Sequence, residues 1–204
     1  MYRKYIKRAL DLILSGLVIP ILFPFGFLIA VWIKLDSKGP VFFRQKRIGV
    51  GDTTFSILKF RTMRVDAPHD VPTHLLQDAD RWLTRAGRFL RRTSLDELPQ
   101  VLNIFTGNMA LVGPRPALWN QFDLIALRKK NGADRVKPGL TGLAQIHGRD
   151  ILSLEDKARY DGEYAAHVTF GMDLKCVWET VIAVVTGRDV VEGSRDHNPN
   201  RKTK

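Results

Sequence analysis

The sequence predicts a mostly α-helical chain with a few short strands, in which a re-entrant N-terminal membrane helix precedes a compact cytoplasmic domain carrying interfacial amphipathic helices. Three observations point there. An uncharged stretch runs from Leu12 to Ile33. Most of the chain beyond it repeats its apolar positions at helical spacing. The β-type runs are short and do not alternate with helices as they would in a doubly wound nucleotide-binding fold.

The segment LILSGLVIPILFPFGFLIAVWI would make a helix of roughly 33 Å at 1.5 Å per residue, enough to cross the hydrocarbon core of a bilayer. It exceeds a signal peptide's apolar region, and Lys34-Leu35-Asp36 comes after it where a cleavage site would stand. A domain this small could not enclose a helix that is apolar all round. Arg3, Lys4, Lys7 and Arg8 precede the segment, and Lys34, Lys38, Arg44, Lys46 and Arg47 lie beyond it. Basic flanks mark the cytoplasmic side, and here both flanks are basic. Pro20 and Pro24 each remove one helical hydrogen bond. A helix broken near its middle, with both ends preferring one side, reads as a hairpin hinged at Pro20 and Pro24. A kinked single-pass helix is the alternative, because membrane helices tolerate proline.

Val41-Phe42-Phe43 and Phe55-Ser56-Ile57-Leu58 flank Gly49-Val50-Gly51-Asp52 and predict a short hairpin. Residues 65–80 read as an irregular acidic loop with two prolines. Arg81 to Arg92 reads as one basic helix with Arg81, Arg85, Arg88 and Arg92 on a stripe. Such a stripe is either a solvated face or a surface for anionic lipid headgroups. Another helix begins at Ser94, and further helices are expected over residues 118–130 and 152–166, with a turn-rich stretch at 137–142 between them. From Leu174 onward, Val177, Trp178, Val181, Ile182 and Val185 keep helical spacing. That face suits either the core or a membrane interface. The tail after Gly193 is polar and is expected to be disordered.

The chain has 204 residues and a net charge of +11, so its partner is anionic. Charge alone does not choose among nucleic acid, lipid headgroups and phosphorylated substrates. Cys176 is the only cysteine, which excludes an intramolecular disulfide and a multi-cysteine zinc site. Its apolar neighbours make it a small core residue. No phosphate-cradling glycine loop or metal-binding histidine pair occurs, and His147 is the one histidine near a motif worth following.

Local features converge on phosphate chemistry. Ser94 and Glu97 have the spacing of a capping box, which accounts for Asp96 and Glu97 on helix-dipole grounds alone. The functional alternative is that this acidic pair offers oxygen ligands for Mg²⁺ and a carboxylate nucleophile. In Gly113-Pro114-Arg115-Pro116, Pro114 fixes its own φ and Pro116 keeps Arg115 extended. A stiffly held arginine suits bidentate binding of phosphate oxygens. Lys59, Arg61, Arg91 and Arg149 form a dispersed cationic set, each more often a surface charge than a ligand.

The segments KRALDLILS, GPVFFRQKRIG, FSILKFRTM, RFLRRTSLDELPQVLNIFTGNMALVGPRP and VKPGLTGLAQIHGR resemble, in order and spacing, the small monotopic phosphoglycosyl transferases of the bacterial sugar transferase family. The resemblance runs from Tyr2 to about Glu192. It implies a re-entrant helix hairpin over 1–36, a cytoplasmic catalytic domain over 37–192 and a polar tail over 193–204, at the cytoplasmic face of the bacterial inner membrane. It implies transfer of a sugar 1-phosphate from a UDP-sugar to polyprenyl phosphate. In that reading Asp96 is the covalent nucleophile, Asp96 and Glu97 neighbour Mg²⁺, and Lys59, Arg91, Pro114, Arg115, Pro116 and Arg149 surround the diphosphate and nucleotide. Phe23-Pro24 stands where the family usually has Ser-Pro. The family's larger members carry further N-terminal helices and a further domain, so the likeness is to the minimal form. The expected partners are the two substrates and anionic headgroups, not nucleic acid, and homo-oligomerisation is left open. A Mg²⁺-dependent lipid phosphohydrolase and a membrane-tethered nucleic-acid-binding module are the competing functions.

Overall fold

The computed structural model describes residues 1–69, 78–148 and 151–186. Helix α1 (Lys7–Asp36), entered through a π-helical stretch at Tyr2–Ile6, contains the whole uncharged segment. Among the described residues it is the one helix long and apolar enough to cross a membrane. The break expected at Pro20 and Pro24 is not a loop: helical backbone continues through both prolines. Each proline removes one donor, and the intact turns on either side preserve the helix.

Both ends of α1 are fastened to the same body. Asp173 accepts hydrogen bonds from the Tyr2 hydroxyl and the Lys7 ammonium, both at 2.6 Å. Arg8 donates to the carbonyls of Ile104 and Phe105, and the Asp11 carboxylate accepts from the Leu111 amide. At the other end Ile33 is buried among Phe60, Ala86 and Leu90. Asp36 accepts from the Ala86 amide at 3.0 Å, and Arg61 donates to the carbonyls of Ser37 and Lys38. Between these anchors Leu17, Ile21, Phe23, Phe25, Phe27 and Leu28 stay exposed. The basic flank read as a topology signal is therefore, at Arg3, Lys7 and Arg8, also a set of contacts to the body.

The expected hairpin is β1 (Phe42–Ile48) and β2 (Thr54–Phe60), antiparallel. The basic segment is two pieces rather than one helix, α2 (Ala79–Trp82) and α3 (Arg85–Arg92). Leu83 turns extended to bridge Met63, and the Thr84 hydroxyl caps α3 by accepting from the Gly87 amide. Arg81 thus leaves the stripe and pairs with Asp78. On α3 Ala86, Gly87 and Leu90 face inward, while Arg85, Arg88 and Arg92 are exposed.

A 3₁₀ turn at Leu95–Glu97 leads to α4 (Gln100–Phe105) and then β3 (Ala110–Val112). After α5 (Phe122–Asn131) comes β4 (Gly139–Thr141), parallel to β3. This small βαβ unit lay hidden in the turn-rich stretch, because three-residue strands leave no readable period. The chain continues through α6 (Leu143–Ile146), α7 (Leu154–Ala166) and α8 (Phe170–Thr186). One face of α8 packs Cys176 against Val112, Leu143 and Tyr164. Its opposite face, with Phe170, Leu174, Trp178, Val181 and Val185, is exposed. The helix therefore packs one face on the core and leaves the opposite apolar face exposed.

Candidate active site

The β1–β2 hairpin sets the first side chain. Its register places Lys59 opposite Phe43 and Ile57 opposite Gln45, so Gln45, Arg47 and Lys59 share a face with the buried Ile57. A slip of one residue would turn Lys59 outward. Asn103 on α4 anchors β2: its side chain accepts from the Leu58 amide and donates to the Ser56 carbonyl, both at 2.9 Å.

Helix α3 supplies the second. A Cβ on Gly87 would stand 1.8 Å from the Thr62 carbonyl oxygen, so only glycine lets the helix lie this close. One turn on, Arg91 donates from Nε to the Thr62 hydroxyl at 3.0 Å.

The acidic pair comes next. Ser94 has a left-handed backbone (φ +56°) and makes no side-chain cap, so the predicted capping box does not form. Leu95 and Leu98 pack into the cluster around Ile33, and Asp96 is left only 8% exposed. The carboxylate of Glu97 looks away from its own turn. It accepts from Lys59 at 2.7 Å and from Arg115 at 3.3 Å. Lys59 is also 4.0 Å from Asp96.

The Pro-Arg-Pro loop leaves the end of β3. Gly113 donates to the Thr141 carbonyl and accepts no substitution: a Cβ there would meet the Lys137 oxygen at 2.2 Å. Gly139 donates to the Pro114 carbonyl at 2.9 Å. Pro114 and Pro116 are buried, and Arg115 between them reaches Glu97.

Burial raises the pKa of Asp96. Lys59 opposes that most strongly, Glu97 adds to it, and Arg91 and Arg115 oppose it too. Burial lowers the pKa of Lys59, with Glu97 and Asp96 pulling it back up. Asp96 is thus a buried carboxylate surrounded by cations, with Lys59 at 4.0 Å, beyond hydrogen-bond distance. Among the described residues no group of three acidic, histidine or cysteine side chains gathers around a metal position. Asp96 and Glu97 supply the kind of donor Mg²⁺ takes, one or two carboxylates together with substrate phosphate oxygens, although one oxygen of Glu97 is already engaged by Lys59 and Arg115.

Of the sequence-predicted residues, the structure brings together Lys59, Arg91, Asp96, Glu97 and Arg115. Arg149 lies outside the described residues, as do 70–77 and the tail. Arg61 is buried but serves the end of α1, not the site. His147 stacks on Tyr160 at 4.4 Å and bonds the Leu143 carbonyl, a structural role. The residue missed is Arg47, which the sequence presents as one more cytoplasmic-flank cation. Alternation within FFRQKRI, combined with the hairpin turn, would have put it on the face of Lys59.

The sequence pattern of the family described as "Bacterial sugar transferase" matches residues 2–187. A UDP-glucose:undecaprenyl-phosphate glucose-1-phosphate transferase of Caulobacter vibrioides is 41% identical over 189 residues, covering 88% of this chain and 70% of that protein. The exopolysaccharide production protein ExoY of Sinorhizobium fredii is 35% identical over 200 residues, covering 89% of this chain and 86% of that protein. A UDP-glucose:undecaprenyl-phosphate glucose-1-phosphate transferase of Escherichia coli is 40% identical over 185 residues, and there the match spans 87% of this chain but 40% of the relative's own length. With a family pattern running through nearly the whole chain, and the Caulobacter and Sinorhizobium relatives matched over most of their length, this protein belongs to the bacterial sugar transferase family.

Proposed function

We propose that the chain transfers a sugar 1-phosphate from a UDP-sugar to polyprenyl phosphate, releasing UMP, through a sugar-phosphoryl adduct on Asp96. The observation that carries this reading is an acidic pair, Asp96 buried and Glu97 half-buried, met by Lys59, Arg91 and Arg115 and packed against the end of an apolar helix. Relatives named for transfer to undecaprenyl phosphate support the substrate classes, and their donors include UDP-glucose and UDP-N-acetylgalactosamine.

In the first step a carboxylate oxygen of Asp96 attacks the phosphorus that bears the sugar. An oxygen–phosphorus bond forms, the bond from that phosphorus to the bridging oxygen breaks, and UMP leaves with the electron pair. In the second step an oxygen of polyprenyl phosphate attacks the same phosphorus and Asp96 departs as carboxylate, giving polyprenyl-diphospho-sugar. Both attacking groups are anions, so neither step needs a base. Arg91 and Arg115 stabilise charge as it grows on the phosphoryl oxygens. Glu97 holds Lys59 and Arg115 in place and thereby positions them. Mg²⁺, held by Asp96 and Glu97, would supply further charge neutralisation at the diphosphate.

Both α1 and α8 leave an apolar face exposed, and the stretch that enters α1 touches α8 where Tyr2 packs edge-on against Phe170 at 6.0 Å. We place both faces in the cytoplasmic leaflet of the bacterial inner membrane, with α1 re-entering and the body in the cytoplasm. One substrate is soluble and the other lies in the bilayer, and the site stands between them.

The test is UMP release by the purified protein with undecaprenyl phosphate, Mg²⁺ and a panel of UDP-glucose, UDP-galactose, UDP-N-acetylglucosamine and UDP-N-acetylgalactosamine. At least one donor should turn over, and Asp96→Asn should abolish it. No UMP from any UDP-sugar, or undiminished release by Asp96→Asn, would overturn the reading.

A further inference from the structure

Arg47 stands at the edge of the acidic pair, bound to the Pro-Arg-Pro loop rather than to a carboxylate. Its Nη1 donates to the Pro116 carbonyl at 2.9 Å, and its Nη2 donates to the side-chain oxygen of Gln45. Gln45 is itself buried and fixed by a 2.6 Å bond to the His69 carbonyl. The strand backbone repeats the connection: the Ile48 amide donates to Ala117 at 3.0 Å, and Arg47 bridges Leu118. The end of β1 therefore seats the segment that carries Arg115.

This seat is electrostatically costly. Burial, and then the neighbouring Arg115, push Arg47 down to about 10, with Glu97 offsetting part of the effect. Its Nε is buried and makes no hydrogen bond among the described residues. Two guanidiniums held in range of one another weaken a folded protein unless an anion comes between them or beside them. The neighbourhood sets Arg47, Lys59, Arg91 and Arg115 against Asp96 and Glu97, an excess of positive charge that suits a diphosphate.

We infer that Arg47 is a positioning residue for the donor's diphosphate: it fixes the Pro-Arg-Pro loop through Pro116 and so aims Arg115 at the phosphate oxygens. The inference rests on the proposed transfer from a UDP-sugar and adds a residue to it. Arg47 acts through Arg115, so the two should be coupled. A lysine at 47 could reach the Pro116 carbonyl or Gln45 but lacks the fork that holds both.

The experiment measures kcat and KM for the preferred UDP-sugar, and UDP binding by calorimetry with Mg²⁺, for Arg47→Gln, Arg47→Lys, Arg115→Lys and the pair Arg47→Gln/Arg115→Lys. Losing a hydrogen-bonded charge in such a place should lower kcat/KM by about 10- to 100-fold in Arg47→Gln, chiefly through KM, with UDP binding weakened in parallel. Arg47→Lys should recover only a small part. The double variant should be scarcely worse than the poorer single variant, because the second change removes what the first has already misplaced. Thermal unfolding of each variant tests the fold, and Arg47→Lys, which keeps charge and most of the volume, carries the comparison if Arg47→Gln unfolds. Unchanged kcat/KM in a folded Arg47→Gln, or losses that multiply in the double variant, would overturn the inference while leaving the transfer reaction standing. Weakened UDP binding by Arg47→Gln in a protein that turns over no UDP-sugar would instead sink the reaction and keep Arg47 as a positioning residue of a nucleoside-diphosphate site.

Discussion

Lys59 sits 2.7 Å from Glu97 and 4.0 Å from Asp96, on a strand face turned toward the core. Burial lowers its pKa and raises that of Asp96, so the two groups titrate closer together than free side chains would. The proposed chemistry needs Asp96 ionised and Lys59 charged. Falling pH protonates Asp96 while still above the ordinary carboxylate range, and activity is lost there. Rising pH discharges Lys59 before the ordinary lysine range is reached, and activity is lost again. The pH profile of kcat/KM should thus be a bell narrowed from both sides. Lys59→Arg should retain the acid limb and move the alkaline limb to higher pH, since arginine stays charged. An acid limb at the unperturbed aspartate value of about 3.9 would contradict this account. At this scale the sequence picked out residues that the fold brings together, but gave little guide to their partners. Ser94 and Glu97 have capping-box spacing, yet Glu97 takes hydrogen bonds from Lys59 and Arg115, 38 and 18 residues away. Local spacing cannot report contacts made by folding.

Helix α1 was legible from composition, because an uncharged run of that length has few other homes. Its continuity was not, since proline predicts a lost donor and leaves the response of the neighbouring turns open. What fixes its ends is the body: Asp173 and Leu111 at one end, Ala86 and the Phe60–Leu90 cluster at the other. A polar body holding both ends cannot sit on both sides of a bilayer. Cysteines introduced singly at the exposed Lys4 and Lys38 should therefore both resist a membrane-impermeant maleimide in intact cells and both react after lysis. Cys176 leaves the background silent, being fully buried with its thiol pushed up to about 11. Labelling of one site alone in intact cells would establish a spanning helix. Asp173→Ala, which strands the Lys7 ammonium and the Tyr2 hydroxyl and leaves the Tyr164 hydroxyl only the Val112 carbonyl, should destabilise the protein by about 3–5 kcal/mol, measured by chemical unfolding in detergent. A change below about 1 kcal/mol, the scale of an exposed ion pair, would mean that this clasp does not hold the helix.

The molecule as a whole joins an exposed apolar surface to a cluster of cations around two carboxylates. Strand register brings Lys59 inward, a glycine lets α3 bring Arg91 close, and the paired glycines around Gly113 let the loop of Arg115 approach the acidic turn. The motifs were readable because stiff or charged residues in fixed order leave few alternatives. Their convergence was not readable, because it depends on a hairpin register, a two-strand parallel pair and a helix split at Thr84, none of which has a strong period. The central claim is that Asp96 becomes covalently bonded to the transferred group. The most direct measurement is intact-protein mass spectrometry, at mild pH and short times, after adding UDP-sugar and Mg²⁺ without polyprenyl phosphate. The expected result is one adduct of sugar-phosphate mass, mapped to the peptide containing Asp96, together with a burst of UMP no larger than the enzyme concentration, and neither in Asp96→Asn. Turnover that proceeds with no adduct and no burst, with kinetics requiring both substrates bound at once, would contradict it.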